Sequence, residues 1–446
     1  MPRQLFGTDG VRGVAGEYPL NPPTTWALGK ALGEWARHRA QKPEILIGMD
    51  TRESGPWIAA QVGGGLEAAG VRPRFAGLIT TPGVAWLTRT RDFVAGVMIS
   101  ASHNPYQDNG IKVFDHSGFK LPDDTEHRLE EQIFAILAGS PPTPPAKLAV
   151  DEGLDAAYVD FLAGSAKTRL DGLSLILDCA NGAASHLAPE LFTRLGATVE
   201  NMGCSPDGRN INLGCGALHV ESLRHEVVRR KADAGIAFDG DADRCILVAP
   251  TGRIVDGDAV LLIVARAMAD EGTLRQPMVI STVMSNIGLE LALKESGLTM
   301  LRTPVGDKYV LEEMVRRDAQ IGGEQSGHVI FRDFATTGDG MLTGLRVLEI
   351  VAGSGQTLDK LAAGLKVFPQ LLVNVRVKNK KPMEEMPSVQ AEIREAEKVF
   401  GASGRVVVRF SGTEPLARVM VEGPDDAGVR HWANRIADAI RTELSA

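Results

Sequence analysis

One hydrophobic pattern recurs three times along the chain before giving way to another. Ile45-Leu-Ile-Gly-Met-Asp50 is a short apolar run closed by a carboxylate; a helical stretch follows, and Ala69-Gly70 opens a second run through Phe75. Leu173-Ser-Leu-Ile-Leu-Asp178 repeats this, with a helix over 189–195 and a second run at Gly196-Ala-Thr-Val199. Met278-Val-Ile-Ser281 repeats it again, with a helix over 288–296 and then Gly297-Leu-Thr-Met-Leu301. Short unbroken apolar runs bounded by turn residues read as buried strands. Strand, helix, glycine, strand is a βαβ unit, and successive units predict a largely parallel sheet.

Each unit then runs to a further strand that ends in a polar cluster. Val94 to Ile99 leads into Ser100-Ala-Ser102-His103-Asn104-Pro105, with the turn chemistry of Asp108-Asn109-Gly110 beyond it. Ala234 to Phe238 leads into Asp239-Gly-Asp241-Ala-Asp243-Arg244, and Ala319-Gln-Ile321 into Gly323-Glu324-Gln325-Ser326-Gly327-His328. Ligands of open α/β sheets sit beyond the carboxyl ends of the strands, so three equivalent clusters predict one shared cleft. The last segment differs: strand 371–377, helix 384–400, strands 404–410 and 418–422, helix 425–444. The predicted fold is α/β, with three related mixed α/β domains plus a smaller C-terminal α+β domain around one central cleft. Breaks at the Pro-rich stretch 138–145, near 250–256 and at Phe368-Pro369 give domains 1–150, 151–253, 254–368 and 369–446.

Composition narrows the functional classes. A chain of 446 residues, 44% apolar and 23% charged, exceeds one ordinary core. A net charge of −8 argues against a nucleic-acid surface. It leaves small anionic substrates open, because a few clustered cations dominate a cleft locally. Cys179, Cys204, Cys215 and Cys245 show no paired metal or redox spacing and read as reduced thiols. Met1 to Phe6 lacks the apolar core of a signal peptide, and the longest apolar stretch, Ala259 to Val264, is too short to span a bilayer. The expectation is a cytoplasmic enzyme with neither a membrane nor a nucleic-acid partner.

The clusters carry the chemistry. Ser102, placed at an exposed strand end beside His103 and with Lys112 behind it, is a hydroxyl suited to carrying a phosphoryl group; a Ser/Asn-rich turn is the plain alternative. Asp239, Asp241 and Asp243 alternate, which on extended chain puts three carboxylates on one face. An all-oxygen set of this kind suits Mg²⁺, and a phosphorylated Ser102 is able to supply a further oxygen. A calcium EF-hand fails, since Arg244 and Pro250 stand where its Gly and Glu belong; a solvated acidic turn is the other alternative. Glu324 and Ser326 suit sugar hydroxyls, and His328 is a proton carrier or a structural histidine. Arg409-Phe-Ser411-Gly412-Thr413, with Arg418 following, is a turn of hydroxyls and backbone N–H groups flanked by arginines, fit for phosphate. Arg12 in the Gly-rich loop 7–13 and Lys308 after Gly306-Asp307 are weaker anion signals. Gly63-Gly64-Gly65 lies inside a helical stretch and reads as close packing, not as a dinucleotide fingerprint.

In order and over essentially the whole chain, these strings resemble the α-D-phosphohexomutase superfamily. The variants Gly7 to Gly13, Ser102 to Lys112 and Gln325 most resemble its bacterial branch acting on glucosamine phosphate. The resemblance implies interconversion of glucosamine 6-phosphate and glucosamine 1-phosphate, feeding UDP-N-acetylglucosamine and cell-wall synthesis. It implies Ser102 as the phosphoserine and Asp239, Asp241 and Asp243 on Mg²⁺ together with Ser102. It implies Glu324 and Ser326 on the sugar, and Arg409, Ser411, Gly412, Thr413 and Arg418 on the resting phosphate, with Arg12 and Lys308 beside them. His103, Lys112, Arg244 and His328 fall at candidate catalytic positions. Glucosamine 1,6-bisphosphate is the implied intermediate, a hexosamine phosphate the small-molecule partner, and a homodimer the expected assembly. The alternatives are a phosphomannomutase or phosphoglucomutase of the same superfamily, a phosphatase, or a sugar-phosphate sensor without catalysis.

Overall fold

The computed structural model describes residues 4–7, 9–139, 142–411 and 415–444. Three of its sheets share one plan. Glu44–Met49 pairs in parallel with Arg72–Leu78 on one side and Ala95–Ile99 on the other, and Asp108–Asp115 adds antiparallel beyond. Ser174–Asp178 does the same with Thr198–Met202, Ala234–Phe238 and antiparallel Cys245–Val248. Met278–Thr282 repeats it with Thr299–Thr303, Ile321–Gly323 and antiparallel Val329–Phe331. Each polar cluster is the connection from the third strand to its antiparallel neighbour. Parallel strands need a crossover, which the helices supply, whereas the antiparallel step needs only a short turn. The three clusters therefore occupy one topological position.

Two segments depart from the sequence pattern. Asp108-Asn109-Gly110 is the start of a strand, not a turn. Asn109 is buried and donates to Ser54 Oγ at 2.8 Å, while a Cβ on Gly110 would lie 2.6 Å from the Ser100 carbonyl oxygen. Turn-type residues serve here as a buried amide and a close backbone contact. The second helix of this kind is Ala184–Arg194, with Pro189 inside it and not at its start; the missing N–H removes one intrahelical bond. The glycine triplet behaves as its helical setting suggests, since a Cβ on Gly65 would fall 2.1 Å from the Trp26 carbonyl oxygen.

One apolar core runs through the facing sides of the first three sheets, and the first sheet carries a second core on its other face. The C-terminal sheet is antiparallel, ordered Gln370–Arg376, Leu416–Glu422, Arg405–Phe410, and keeps a core of its own under helices Pro387–Phe400 and Asp426–Leu444. It docks on the loop 283–287. Glu422 accepts from Ile287 N at 2.9 Å, Arg405 donates to Val283 O at 2.8 Å, and Gln370 donates to Met284 O at 3.0 Å. Asn286 exchanges two hydrogen bonds with the Phe368 backbone, at 2.9 and 3.0 Å.

Behind that loop Asp258 is fully buried; its Oδ2 accepts from Asn286 N at 2.7 Å and its Oδ1 has no hydrogen-bond partner. Burial, and then the charge of Asp256, push its carboxyl up to about 7. In the unfolded chain it ionises near 4, so the folded state holds an extra proton between about pH 4 and 7, and stability falls as pH rises through that window. Asp258→Asn is expected to be more stable than the parent at pH 8, by on the order of 4 kcal/mol for a carboxyl moved from near 4 to about 7, and nearly equal to it near pH 4. Urea unfolding at the two pH values checks this; parallel pH curves for the two proteins would contradict it.

Candidate active site

Ser102 lies at the carboxyl end of Ala95–Ile99, where the apolar run stops. It differs from expectation in being buried, only 2% exposed, and in adopting a left-handed backbone with φ 53°. Ser100 Oγ accepts from its N–H at 2.8 Å, and its own Oγ donates to Asp239 Oδ2 at 2.6 Å. His103 Nδ1 lies 3.3 Å from the same Oγ. Burial, with Arg244 and Arg12 nearby, lowers the His103 imidazole to about 4, so at neutral pH it is uncharged.

Asp239, Asp241 and Asp243 converge, with an oxygen of each within 4.8 Å of the others, and all three are buried. The convergence does not come from extended chain. Residues 240–243 form a turn, and left-handed Ala242 (φ 56°) folds the three carboxylates inward. Burial, with Asp243 and Asp241 beside it, raises the Asp239 carboxyl well above the usual range. Burial opposes ionisation of Asp243 as well and is the largest single influence, but Lys112, His328 and Arg244 together outweigh it and hold that carboxyl well below the usual range. Oδ1 of Asp241 and Oδ1 of Asp243 are buried without a hydrogen-bond partner. Three converging carboxylates with unsatisfied oxygens fit a hard divalent cation.

Lys112, 2% exposed, does not turn to Ser102. Its Nζ reaches Asp241 at 2.9 Å, Asp243 at 3.3 Å and Asp9 at 3.3 Å. Burial disfavours its charge, yet Asp241, Asp9 and Asp243 together keep it protonated well above the ordinary lysine range. Arg244 anchors the aspartate loop through its backbone, whose N–H donates to Asp239 Oδ1 at 3.2 Å, while its Nε stands 3.8 Å from Asp243. His328 is buried; Gly338 N–H donates to its Nε2 at 2.9 Å, which puts the ring proton on Nδ1, 3.6 Å from Asp243 Oδ1.

The third cluster packs directly on the second. Cys245 N–H donates to Gly327 O at 3.0 Å, and a Cβ on Gly327 (φ 91°) would lie 2.3 Å from Cys245 O, so only glycine lets the loops approach this closely. Glu324 Oε1 accepts from Gly306 N at 3.2 Å, and Ser326 Oγ lies 3.5 Å from Glu324 Oε2. Arg12 donates to Asp9 at 2.5 Å. Lys308 Nζ pairs with Asp123. Arg409 and Arg418 face each other across the C-terminal sheet, and burial plus the Arg418 charge lowers the Arg409 pKa. Ser411 is buried, its N–H donating to Leu416 O at 2.8 Å. Gly412 and Thr413 lie outside the described residues.

Several groups at the site escaped the sequence reading. Thr81 Oγ1 donates to Asp241 at 2.5 Å. Lys120 bridges Asp9 at 2.5 Å and Asp307 at 2.6 Å, joining the first and third sheets. Arg52 and Asn212 hold the Ser102 segment. Arg52 had a readable signal: like the other clusters, Asp50-Thr-Arg52 follows the end of a buried strand.

Comparison with known proteins agrees with this arrangement. Four segments match descriptions of the phosphoglucomutase/phosphomannomutase family in order: α/β/α domain I over 3–139, domain II over 156–252, domain III over 256–368 and the C-terminal domain over 372–439. A phosphoglucosamine mutase of Solibacter usitatus is 60% identical over 444 residues, covering 100% of each chain, and one of Koribacter versatilis is 53% identical over 99% of this chain and 97% of its own. Among solved structures, a phosphoglucomutase/phosphomannomutase family protein of Burkholderia thailandensis superposes with a TM-score of 0.81 at 23% identity, over 98% of this chain and 97% of that one. An N-acetylphosphoglucosamine mutase of Aspergillus fumigatus, in complex with GlcNAc-6P and magnesium, gives 0.64 at 20% identity, over 98% and 96%. With four family segments in order and full-length identity of this size, the chain belongs to the phosphoglucomutase/phosphomannomutase family of α-D-phosphohexomutases, in its phosphoglucosamine mutase branch, and is a hexosamine phosphate mutase.

Proposed function

We propose that the enzyme interconverts glucosamine 6-phosphate and glucosamine 1-phosphate through a phosphorylated Ser102 and enzyme-bound glucosamine 1,6-bisphosphate. The observation that carries this reading is the Ser102 hydroxyl, 2.6 Å from one member of a buried carboxylate triad. In the first half-reaction the bond from phosphorus to Ser102 Oγ breaks and a bond to the free sugar hydroxyl forms; the hydroxyl's proton ends on Ser102 Oγ. The bisphosphate turns over in the cleft, and the reverse step returns its other phosphate to Ser102.

Asp239, Asp241 and Asp243 would hold Mg²⁺, the cation present in the Aspergillus relative, together with an oxygen of the seryl phosphate. Such an ion supplies neutralisation of phosphoryl charge. Arg244 and the protonated Lys112 add fixed positive charge beside the triad. Lys112, ringed by three carboxylates, acts as countercharge and not as the base. Neutral His103, within 3.3 Å of Ser102 Oγ, is the nearer proton relay. His328 directs its Nδ1 proton toward Asp243 and keeps that carboxylate in place. Glu324 and Ser326 bind sugar hydroxyls in both orientations, and Arg409, Ser411, Gly412, Thr413 and Arg418 bind whichever phosphate is not reacting, with Arg12 and Lys308 lining the approach. The product, glucosamine 1-phosphate, supplies UDP-N-acetylglucosamine synthesis in the cytoplasm. Among the described residues no helix is long and apolar enough to cross a membrane.

Substrate identity is tested by kcat/KM for glucosamine, glucose and mannose phosphates under one set of conditions. The glucosamine ester is expected to lead by about tenfold or more, as a group-specific polar contact provides. Equal values, or a lead for glucose or mannose, would make the enzyme a general phosphohexomutase.

A further inference from the structure

The segment after Ser102 is gripped from two domains at once. Arg52 Nη2 donates to Ser102 O at 3.1 Å and to Asn104 O at 2.7 Å. Asn212 Nδ2, from the second domain, donates to the same two carbonyls, at 2.9 and 3.1 Å. Two NH₂ groups and two carbonyls thus form four hydrogen bonds, using both hydrogens of each donor and both lone pairs of each acceptor. Arg52 is 1% exposed; its Nε donates to Asp108 O at 2.9 Å and its Nη1 to Asp50 at 3.3 Å. Asn212 is tied in turn by its own N–H to Ala180 O at 2.9 Å. The third wall is Gly240 of the aspartate loop, where a Cβ would lie 2.5 Å from Ser102 O.

We infer that Arg52 and Asn212 are positioning residues that lock the left-handed backbone of Ser102, so that its Oγ returns to one place beside the carboxylate triad in both half-reactions. The inference rests on the phosphoserine reading above. An unclamped non-glycine residue leaves the left-handed region readily, since that region costs roughly 1–2 kcal/mol. Rotation there swings Oγ away from Asp239. A hydroxyl that is leaving group in one step and nucleophile in the next must occupy one position in both. The two clamping NH₂ groups touch only backbone carbonyls, and the remaining Arg52 donors go to Asp108 O and Asp50, so their loss acts on the transfer rate and not on sugar binding. Because one donor comes from each domain, the clamp also fixes the first domain against the second at the point of reaction.

The test uses the full-length enzyme charged with a hexose 1,6-bisphosphate, then mixed with glucosamine 1-phosphate in a rapid-quench device and followed by intact mass. Asn212→Asp keeps the side chain's shape and removes both donors; Arg52→Lys keeps the charge and removes the fork. Each is expected to slow discharge of the seryl phosphate and to lower kcat by about 10–100-fold, as an ångström-scale misplacement does, with KM within about twofold. Mg²⁺ affinity is expected to match the parent. Discharge at the parent rate in both variants would overturn the clamp while leaving the phosphoserine reading intact. A rise in KM and a loss of Mg²⁺ affinity as large as the fall in kcat would overturn it too, in favour of a general structural role. Failure of the parent itself to take up or discharge phosphate would instead refute the phosphoserine reading, and the clamp with it.

Discussion

Ser102→Ala is expected to eliminate phosphate uptake and to lower kcat by more than about 10⁴-fold, the scale of removing a covalent nucleophile. The substitution deletes only Oγ. The backbone N–H still reaches Ser100 Oγ, and the carbonyl keeps its donors from Arg52 and Asn212. Alanine occupies the left-handed region no better and no worse than serine by any large margin, so the fold persists. Asp239 loses one hydrogen bond and retains the Arg244 N–H. Stability is expected to change by about 1 kcal/mol. A large loss of turnover with a nearly unchanged melting temperature separates a chemical role from a structural one. Mass spectrometry of the charged protein and a coupled assay of glucosamine 1-phosphate formation give the two readings. Full activity in the variant would remove Ser102 from the mechanism.

Asp241→Asn is the second large effect. Asp241 Oδ2 accepts from Lys112 at 2.9 Å and from Thr81 at 2.5 Å, and its Oδ1 is buried and unpaired. The amide keeps the shape and removes one of three negative charges. Lys112 then leans on Asp243 and Asp9, and the site presents fewer charges to a dication. The Mg²⁺ concentration for half-maximal activity is expected to rise by at least about 10–100-fold, with kcat at saturating metal lower by about 100-fold. Metal titrations of activity and of binding heat should move together. Superimposable titrations for the variant and the parent would mean that the triad does not hold the activating ion.

How far the sequence foretold this arrangement depends on how local each feature is. The strands are local, and the pattern reads some of them closely: Ala234–Phe238 agrees residue for residue and 94–99 within one position, whereas the second strand of each unit begins two or three residues later than its apolar run, and the antiparallel strands Cys245–Val248 and Val329–Phe331 have no expected counterpart. The common topological position of the three clusters followed from the repeat. The geometry inside the clusters did not. Alternating carboxylates suggested an extended segment, whereas a left-handed Ala242 gathers them, and no apolar pattern reports the sign of a φ angle. Asp108-Asn109-Gly110 carries turn residues for reasons of burial and close approach that exist only once the neighbouring strand is in place. Long-range partners were hardest to foresee. Ser102 meets Asp239 across 137 positions and Arg52 across 50. Lys120 bridges Asp9 and Asp307 with nothing in its own neighbourhood to announce it.

The phosphoserine mechanism stands or falls on where the enzyme carries its phosphate between half-reactions. The most direct measurement charges the purified protein with a hexose 1,6-bisphosphate, digests it, and locates the phosphate by peptide mass spectrometry before and after addition of glucosamine 1-phosphate. The expected result is one phosphate on the Ser102 peptide, discharged at a rate at least equal to kcat. A phosphate on any other residue, or undiminished turnover with Ser102 never modified, would contradict it.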